Sequence, residues 1–179
     1  MIKFGLALLL FLPTAAHADW YVINKTDEFT DEKVLAAVWE DEDHRIQISR
    51  EHYVDPKGKE DSQVVMFITI KTLDTFEPKT PIDLRVDENP ATVLNAYELD
   101  EIMIPIKGVT GYTWEPKTVR NLIWHGDESQ KCGYIKELAE GKELKVRYRI
   151  DRTSRTTFSA DLRGARAALK EALELENCI

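Results

Sequence analysis

The chain has 179 residues, of which 32 are acidic and 24 are Lys or Arg, and its formal net charge is −8 at pH 7. This length fits one domain with a sizeable core and is short for two. The acidic balance excludes the general basic field on which most nucleic-acid-binding proteins depend, so we expect no nucleic-acid partner.

Residues 1–18, MIKFGLALLLFLPTAAHA, have the order of a secretory signal peptide. Lys3 precedes a short apolar run, and an Ala-His-Ala sequence ends the segment at Ala18. The run is too short to span a bilayer, and no later segment is apolar enough to do so. We therefore expect cleavage near Ala18 and a single exported domain, residues 19–179, that is periplasmic or secreted.

The first half of this domain predicts β-strands. Apolar or alternating segments indicate strands at residues 20–24, 33–40, 44–49 and 63–72, and the charged turn Glu40–Asp43 joins the second to the third. The most hydrophobic of these strands, 63–72, is expected to lie centrally in a sheet. Residues 81–91 predict another strand that ends in a turn, whereas residues 95–106 fit no single element.

The second half predicts strands and a short helix. Residues 118–124 are β-branched and aromatic, and residues 143–150 and 155–160 alternate like the two arms of a hairpin. Between these strands, apolar residues have the spacing of a short helix that stops at Gly141. They are Ile135, Leu138 and Ala139.

The last segment predicts an amphipathic helix with Asp161 as its N-cap. Its apolar residues fall on one helical face: Leu162, Ala165, Leu169, Ala172 and Leu173. The predicted fold class is α+β, a single domain of mostly antiparallel β-sheet with a short helix and a C-terminal amphipathic helix packed on it.

Two cysteines, Cys132 and Cys178, follow the predicted signal peptide. In an oxidising compartment an even pair of cysteines forms a disulfide. A redox or metal site would need a C-x-x-C pair or a clustered third ligand, and the sequence has neither. We therefore predict a Cys132–Cys178 disulfide.

The arginine-rich stretch KVRYRIDRTSRTTFSADLRGA spans the predicted hairpin. Strand alternation places Lys145, Arg147, Arg149 and Arg155 on one outer face, opposite the apolar positions. These residues are a candidate binding face for an acidic partner protein or an anionic polymer. The alternatives are internal pairing with the acidic segment 19–43, which contains nine acidic and two basic residues, and a face that is simply solvated.

The loop Gly108–Thr118 is a second candidate contact. It carries Tyr112 and Trp114 beside glycine and proline, which is typical of an exposed aromatic binding loop.

Catalytic and metal-binding patterns are weak. WHGDES (124–129) collects polar groups, but neighbouring residues in one turn rarely converge on a substrate. His44 could join Asp41 and Asp43 around a metal, yet no second histidine supports them. We predict no catalytic residue, no metal and no cofactor.

Three patches resemble the periplasmic VasI/TagO-like accessory proteins of type VI secretion. They are Trp20 with TDEFTDEKVLAAV, the middle segment DLRVDENPA, and the closing TTFSADLRGARAALKEALELENC. The resemblance implies a non-enzymatic periplasmic accessory protein whose partner is another envelope protein. The alternatives are an inhibitor of an envelope enzyme such as lysozyme, with a loop that plugs a carboxylate-lined cleft, and a cell-wall hydrolase.

Overall fold

The computed structural model of the chain describes residues 19–26, 28, 33–77, 80–94, 117–125, 132–175 and 178–179. The predicted signal peptide lies outside these residues, as do Tyr112 and Trp114. Among the described residues, no helix is long and apolar enough to cross a membrane.

The apolar and alternating segments of the first half form a five-stranded antiparallel sheet. Its strands, in their order across the sheet, are β1 (Tyr21–Thr26), β2 (Lys33–Glu40), β3 (His44–Val54), β4 (Glu60–Ile70) and β7 (Thr118–His125). The hydrophobic strand β4 is an interior strand, but β3 takes the middle position. Strand β3 runs on beyond the predicted segment 44–49 to Val54, whereas β4 begins three residues before the predicted segment 63–72 and ends two residues short of it, because the two strands pair from His44↔Ile70 to Val54↔Glu60.

A second antiparallel sheet has four strands. Across the sheet they are β6 (Thr92–Leu94), β5 (Ile82–Val86), β8 (Glu143–Arg149) and β9 (Arg155–Asp161). Asp87 turns the chain after β5 with a positive φ of 48°. Its carboxylate accepts the main-chain N–H of Glu143 at 2.9 Å, which links the end of β5 to the start of β8. The short strand β6 has no counterpart in the sequence prediction.

The inner faces of both sheets contribute to one hydrophobic core. Alternate residues of the interior strands are fully buried, among them Ile46 and Ile68 in the larger sheet and Val146 in the smaller one. The rings of Trp39 in β2 and Phe158 in β9 stack with centroids 6.1 Å apart. The core therefore joins the two sheets directly.

The short helix α1 (Gly133–Glu140) buries the three predicted residues and ends at Gly141, as predicted. They are Ile135, Leu138 and Ala139. Cys132 immediately precedes the helix, and its sulfur lies 2.06 Å from that of Cys178. The structure thus confirms the predicted pairing of the two cysteines, which ties the start of α1 to the segment after the terminal helix.

The terminal helix α2 (Ala165–Leu173) buries the predicted apolar face, with Leu162 buried just before it. The predicted N-cap, Asp161, is wrong. Asp161 is the last residue of β9, and its carboxylate accepts the N–H of Arg163 in the connecting turn. The residue before the helix is Gly164, whose φ of 84° is readily available only to glycine. The observed fold is the predicted α+β arrangement.

Candidate functional site

The β8–β9 hairpin directs its basic side chains away from the core. Leu144, Val146 and Tyr148 of β8 are buried, and so are Phe158 and Ala160 of β9. The intervening positions face outwards, as strand alternation predicts. We call four of them, Lys145, Arg147, Arg149 and Arg155, the basic face.

Strand register sets the neighbours of each member of the basic face. Arg149 lies directly opposite Arg155, and Lys145 lies opposite Ser159. On the other side of β8, Asp83 of β5 lies opposite Arg147. The helices α1 and α2 make their main strand contacts with the five-stranded sheet, and Lys145, Arg147 and Arg155 are exposed, with Arg149 half-buried.

Arg147 is neutralised within the sheet. Its Nε and Nη2 donate to the Asp83 carboxylate at 2.7 and 2.5 Å. Lys145 also has an anionic neighbour, Glu143, at 3.2 Å. A hydrogen bond from Ser159, followed by one from Lys145, lowers the pKa of Glu143, so this carboxylate is charged at neutral pH.

Arg149 and Arg155 have no carboxylate at ion-pair distance among the described residues. Arg149 Nη1 donates instead to the main-chain oxygen of Arg152 at 2.7 Å. The carboxylate of Asp151, in the hairpin turn, accepts hydrogen bonds from Thr153 and Ser154 of the same turn. The main-chain N–H of Thr153 and further donors from Thr153 and Ser154 lower its pKa. Two like charges therefore face each other across the strands, an arrangement that costs stability.

Among the described residues, no ion pair joins the basic face to the acidic segment 19–43, of which residues 27 and 29–32 lie outside the described ranges. Asp41 accepts the N–H groups of Asp43 and His44 at 2.8 and 2.6 Å and so closes its own turn. The cation beside this turn is Lys71, which donates to the main-chain oxygen of Asp41 and lies 3.9 Å from Glu40. The clustering of acidic residues in one segment of the sequence and basic residues in another does not show that Asp83, in β5, is the partner of Arg147.

Arg85 was missed by the sequence analysis. It lies in β5 on the same outer side, opposite Lys145, and pairs with Glu88 at 2.6 Å. The alternation in PIDLRVDENPA indicates which side of its strand Arg85 occupies, but no local pattern shows that β5 pairs with β8. With Arg85 included, the outward positions of β5, β8 and β9 hold five basic side chains and three carboxylates, Asp83, Glu143 and Asp161, in an otherwise acidic protein.

A histidine–aromatic cluster closes one end of the core. The His44 ring stacks on Phe158 with centroids 4.0 Å apart, and its Nε2 shares a hydrogen bond of 3.2 Å with the Tyr148 hydroxyl. Burial, followed by the charges of Asp74, Asp43 and Asp41, raises the pKa of Tyr148 to about 12. Both effects favour the protonated phenol, which hydrogen-bonds with His44 and packs against Phe76 and Phe158.

The same cluster contains the residues considered for a metal. Asp41 Oδ1 lies 3.5 Å from His44 Nδ1, but that oxygen already accepts two main-chain N–H groups. Within the described ranges, no group of three or more His, Cys, Asp or Glu residues could hold a metal ion. Residues 126–129 of WHGDES lie outside those ranges, as does the Tyr112–Trp114 part of the contact loop.

The described residues thus include an exposed charged surface, the basic face, and a half-buried polar cluster around His44. Comparisons of the chain with protein-family models, with curated proteins and with solved structures find no match. Its function is therefore argued from the residues themselves.

Proposed function

We propose that the protein is a non-enzymatic, exported binding protein whose basic face captures an acidic protein of the bacterial envelope. The observation that carries the proposal is the cross-strand pair Arg149–Arg155, two exposed or half-buried cations without a carboxylate partner among the described residues. A folded protein gains nothing from this pair by itself, whereas an incoming carboxylate would be bound by two adjacent guanidinium groups.

Other features agree with an exported accessory role. A disulfide-bonded chain without a membrane-spanning helix among its described residues is compatible with an extracytoplasmic location. Residues 1–18 have the pattern of a signal peptide, and the VasI/TagO-like patches favour an accessory protein of a secretion or envelope system. We include periplasmic location after cleavage near Ala18 in the proposal.

The test reverses the charges of Arg149 and Arg155 and compares capture by this variant with capture by a variant that carries an equal charge change elsewhere. The double variant Arg149→Glu/Arg155→Glu should fold normally and lose capture of proteins from an envelope extract, since exposed charges contribute little to folding. The matched control is Arg166→Glu/Lys170→Glu, which makes the same change in net charge on the exposed side of α2.

Capture by the unaltered protein should weaken as salt rises, because screening reduces attraction between exposed charges. Equal capture by both double variants would exclude the basic face as the binding surface.

A turbidity assay on cell walls, with and without lysozyme, should show neither lysis nor inhibition. Activity in that assay would instead support the hydrolase or the inhibitor.

A further inference from the structure

Strand β9 forms one edge of the four-stranded sheet. Among the described residues it pairs with β8 alone, over seven residues from Arg155 to Asp161. The pairing contains no bulge, and the strand contains no proline. An edge of this kind presents a regular row of unpaired main-chain groups to which another strand can add.

Hydrogen bonds at the two ends of the pairing show which main-chain groups of β9 point outwards. The N–H of Ile150 donates to the oxygen of Ser154 at 3.3 Å, and the N–H of Leu162 donates to that of Lys142 at 2.9 Å. Because bonded positions alternate in an antiparallel pair, the even-numbered residues of β9 bond to β8. The odd-numbered residues direct their N–H and C=O groups to the free edge: Arg155, Thr157, Ser159 and Asp161.

Trp20 supports this assignment independently. Its indole Nε1 donates at 2.8 Å to the main-chain oxygen of Asp161, an atom that the alternation places on the free edge. This bond occupies one end of the edge. Among the described residues nothing pairs with the rest of the edge, Arg155, Thr157 and Ser159, whose side chains are exposed as well.

We propose that this edge binds an extended acidic segment of another protein, which adds to the sheet as a strand beside β9. The inference rests on the proposed function and specifies how the basic face recognises its partner. The main chain of the added strand lies about 4.8 Å from that of β9. Its outward side chains then stand beside Arg155, with Arg149 in the next strand, where carboxylates neutralise both unpaired guanidinium groups.

The inward side chains of the added strand meet a different surface. They lie beside Phe158 and Ala160, which are buried at the margin of the core. Because strand residues alternate between faces, the preferred partner sequence alternates acidic residues with apolar ones. A second copy of this chain fits less well, since its own β9 would bring another Arg149 and Arg155 to the same face.

The probe is a short synthetic peptide of alternating glutamate and valine, and a lysine–valine peptide is its control. We expect the glutamate peptide to bind and the lysine peptide not to bind. Binding should slow amide hydrogen exchange at Arg155, Thr157 and Ser159, whose N–H groups become bonded to the peptide. Binding without this alternating protection would overturn the added-strand mode.

Thr157→Pro tests the main-chain contact in the folded protein. It removes an N–H that points outwards and leaves the bonds to β8 intact, as proline on an edge strand can. Affinity for the glutamate peptide should fall by about tenfold. Thr157→Val keeps the N–H and should bind like the parent. Ser159→Pro provides the same test if Thr157→Pro disturbs folding, and a thermal melt checks each variant.

The variants separate this inference from the proposed function. If Arg149→Glu/Arg155→Glu abolishes peptide binding while both proline variants bind normally, the basic face is used but the added strand is wrong. If neither kind of variant affects binding, both proposals fail. A concentration-dependent dimer that Thr157→Pro abolishes, seen by sedimentation, would replace the acidic partner with a second copy of the chain.

Discussion

Gly141 shows how one residue fixes the approach of α1 to the smaller sheet. A Cβ atom at this position would lie 2.3 Å from Cγ1 of Val86 and 2.9 Å from the main-chain oxygen of Glu137. The φ of Gly141 is −75°, so close packing rather than backbone conformation requires glycine here. Val86 is 1% exposed and lies within β5, which leaves it little room to move.

Gly141→Ala should therefore lower the free energy of unfolding by about 1–3 kcal/mol, the usual cost of overpacking. Urea denaturation of the variant and the parent measures the difference. Glu140→Ala, at the exposed end of the same helix, is the control and should change stability little. If Gly141→Ala left the free energy of unfolding unchanged, Val86 and α1 would be able to move apart with no loss of stability.

The roles of single residues at the helix ends could be predicted from the sequence only in part. A glycine after Ile135, Leu138 and Ala139 predicts a helix stop, and Gly141 is one. The contact of that glycine with Val86 depends on a strand more than fifty residues earlier, which no local pattern specifies. Asp161 failed as an N-cap for the same reason, because its pairing with Glu143 keeps it in β9.

Among the elements, α2 illustrates what periodicity predicts well. Its apolar residues have helical spacing, and the structure buries them against the first three strands of the larger sheet. Arg50 of β3 completes this contact by donating to the main-chain oxygen of Leu173, at the last turn of the helix. A cation at a helix C-terminus also interacts favourably with the helix dipole.

Leu169→Ala should lower the free energy of unfolding by about 2–5 kcal/mol, because Leu169 is 0% exposed and truncation leaves a cavity. Lys170→Ala, the exposed neighbour, is the matched control and should have a small effect. Denaturant melts of both variants provide the comparison. A loss of only a few tenths for Leu169→Ala would show that α2 does not pack on the sheet in solution.

The candidate site depends on element pairing, which the sequence specifies incompletely. Alternation in KVRYRI and RTTFSA predicts both strands of the hairpin and the outward side of all four basic residues. The partner of Arg147 comes from β5, and the free edge of β9 follows from the order of strands in the sheet. Both are long-range properties of the fold, so neither Asp83 nor the unpaired N–H groups could be predicted from the sequence.

For the molecule as a whole, segregation of charge along the chain is a poor guide to charge pairing. The acidic segment and the basic hairpin meet through Trp39, which stacks on Phe158, and through Trp20, which donates to the main-chain oxygen of Asp161, while the described outward charges pair with nearer groups. Exposed ion pairs contribute little, so the packing of strands decides the fold and the charges adapt to it. Arg149 and Arg155 have no carboxylate partner among the described residues, which is why the proposed binding role rests on them.

The disulfide acts at the scale of the whole chain, because it joins segments 46 residues apart that carry α1 and α2. In the chain-entropy description, cross-linking such a loop restricts the unfolded state and stabilises the folded state by about 3–4 kcal/mol. The double variant Cys132→Ser/Cys178→Ser should lose about that amount in urea denaturation. Its stability should not respond to reductant, whereas the parent protein should be destabilised by it.

Thiol titration of the exported protein under denaturing, non-reducing conditions should find no free thiol, and two free thiols per chain would contradict the bond.

The disulfide can stabilise the protein by restricting its unfolded state or by packing in its folded state. The slope of the unfolding free energy against urea concentration distinguishes these two effects. If the bond acts through the unfolded state, its removal lets that state expand and steepens the dependence of unfolding free energy on urea. An unchanged slope with the same loss would instead assign the effect to packing of the partly buried Cys178 against the core.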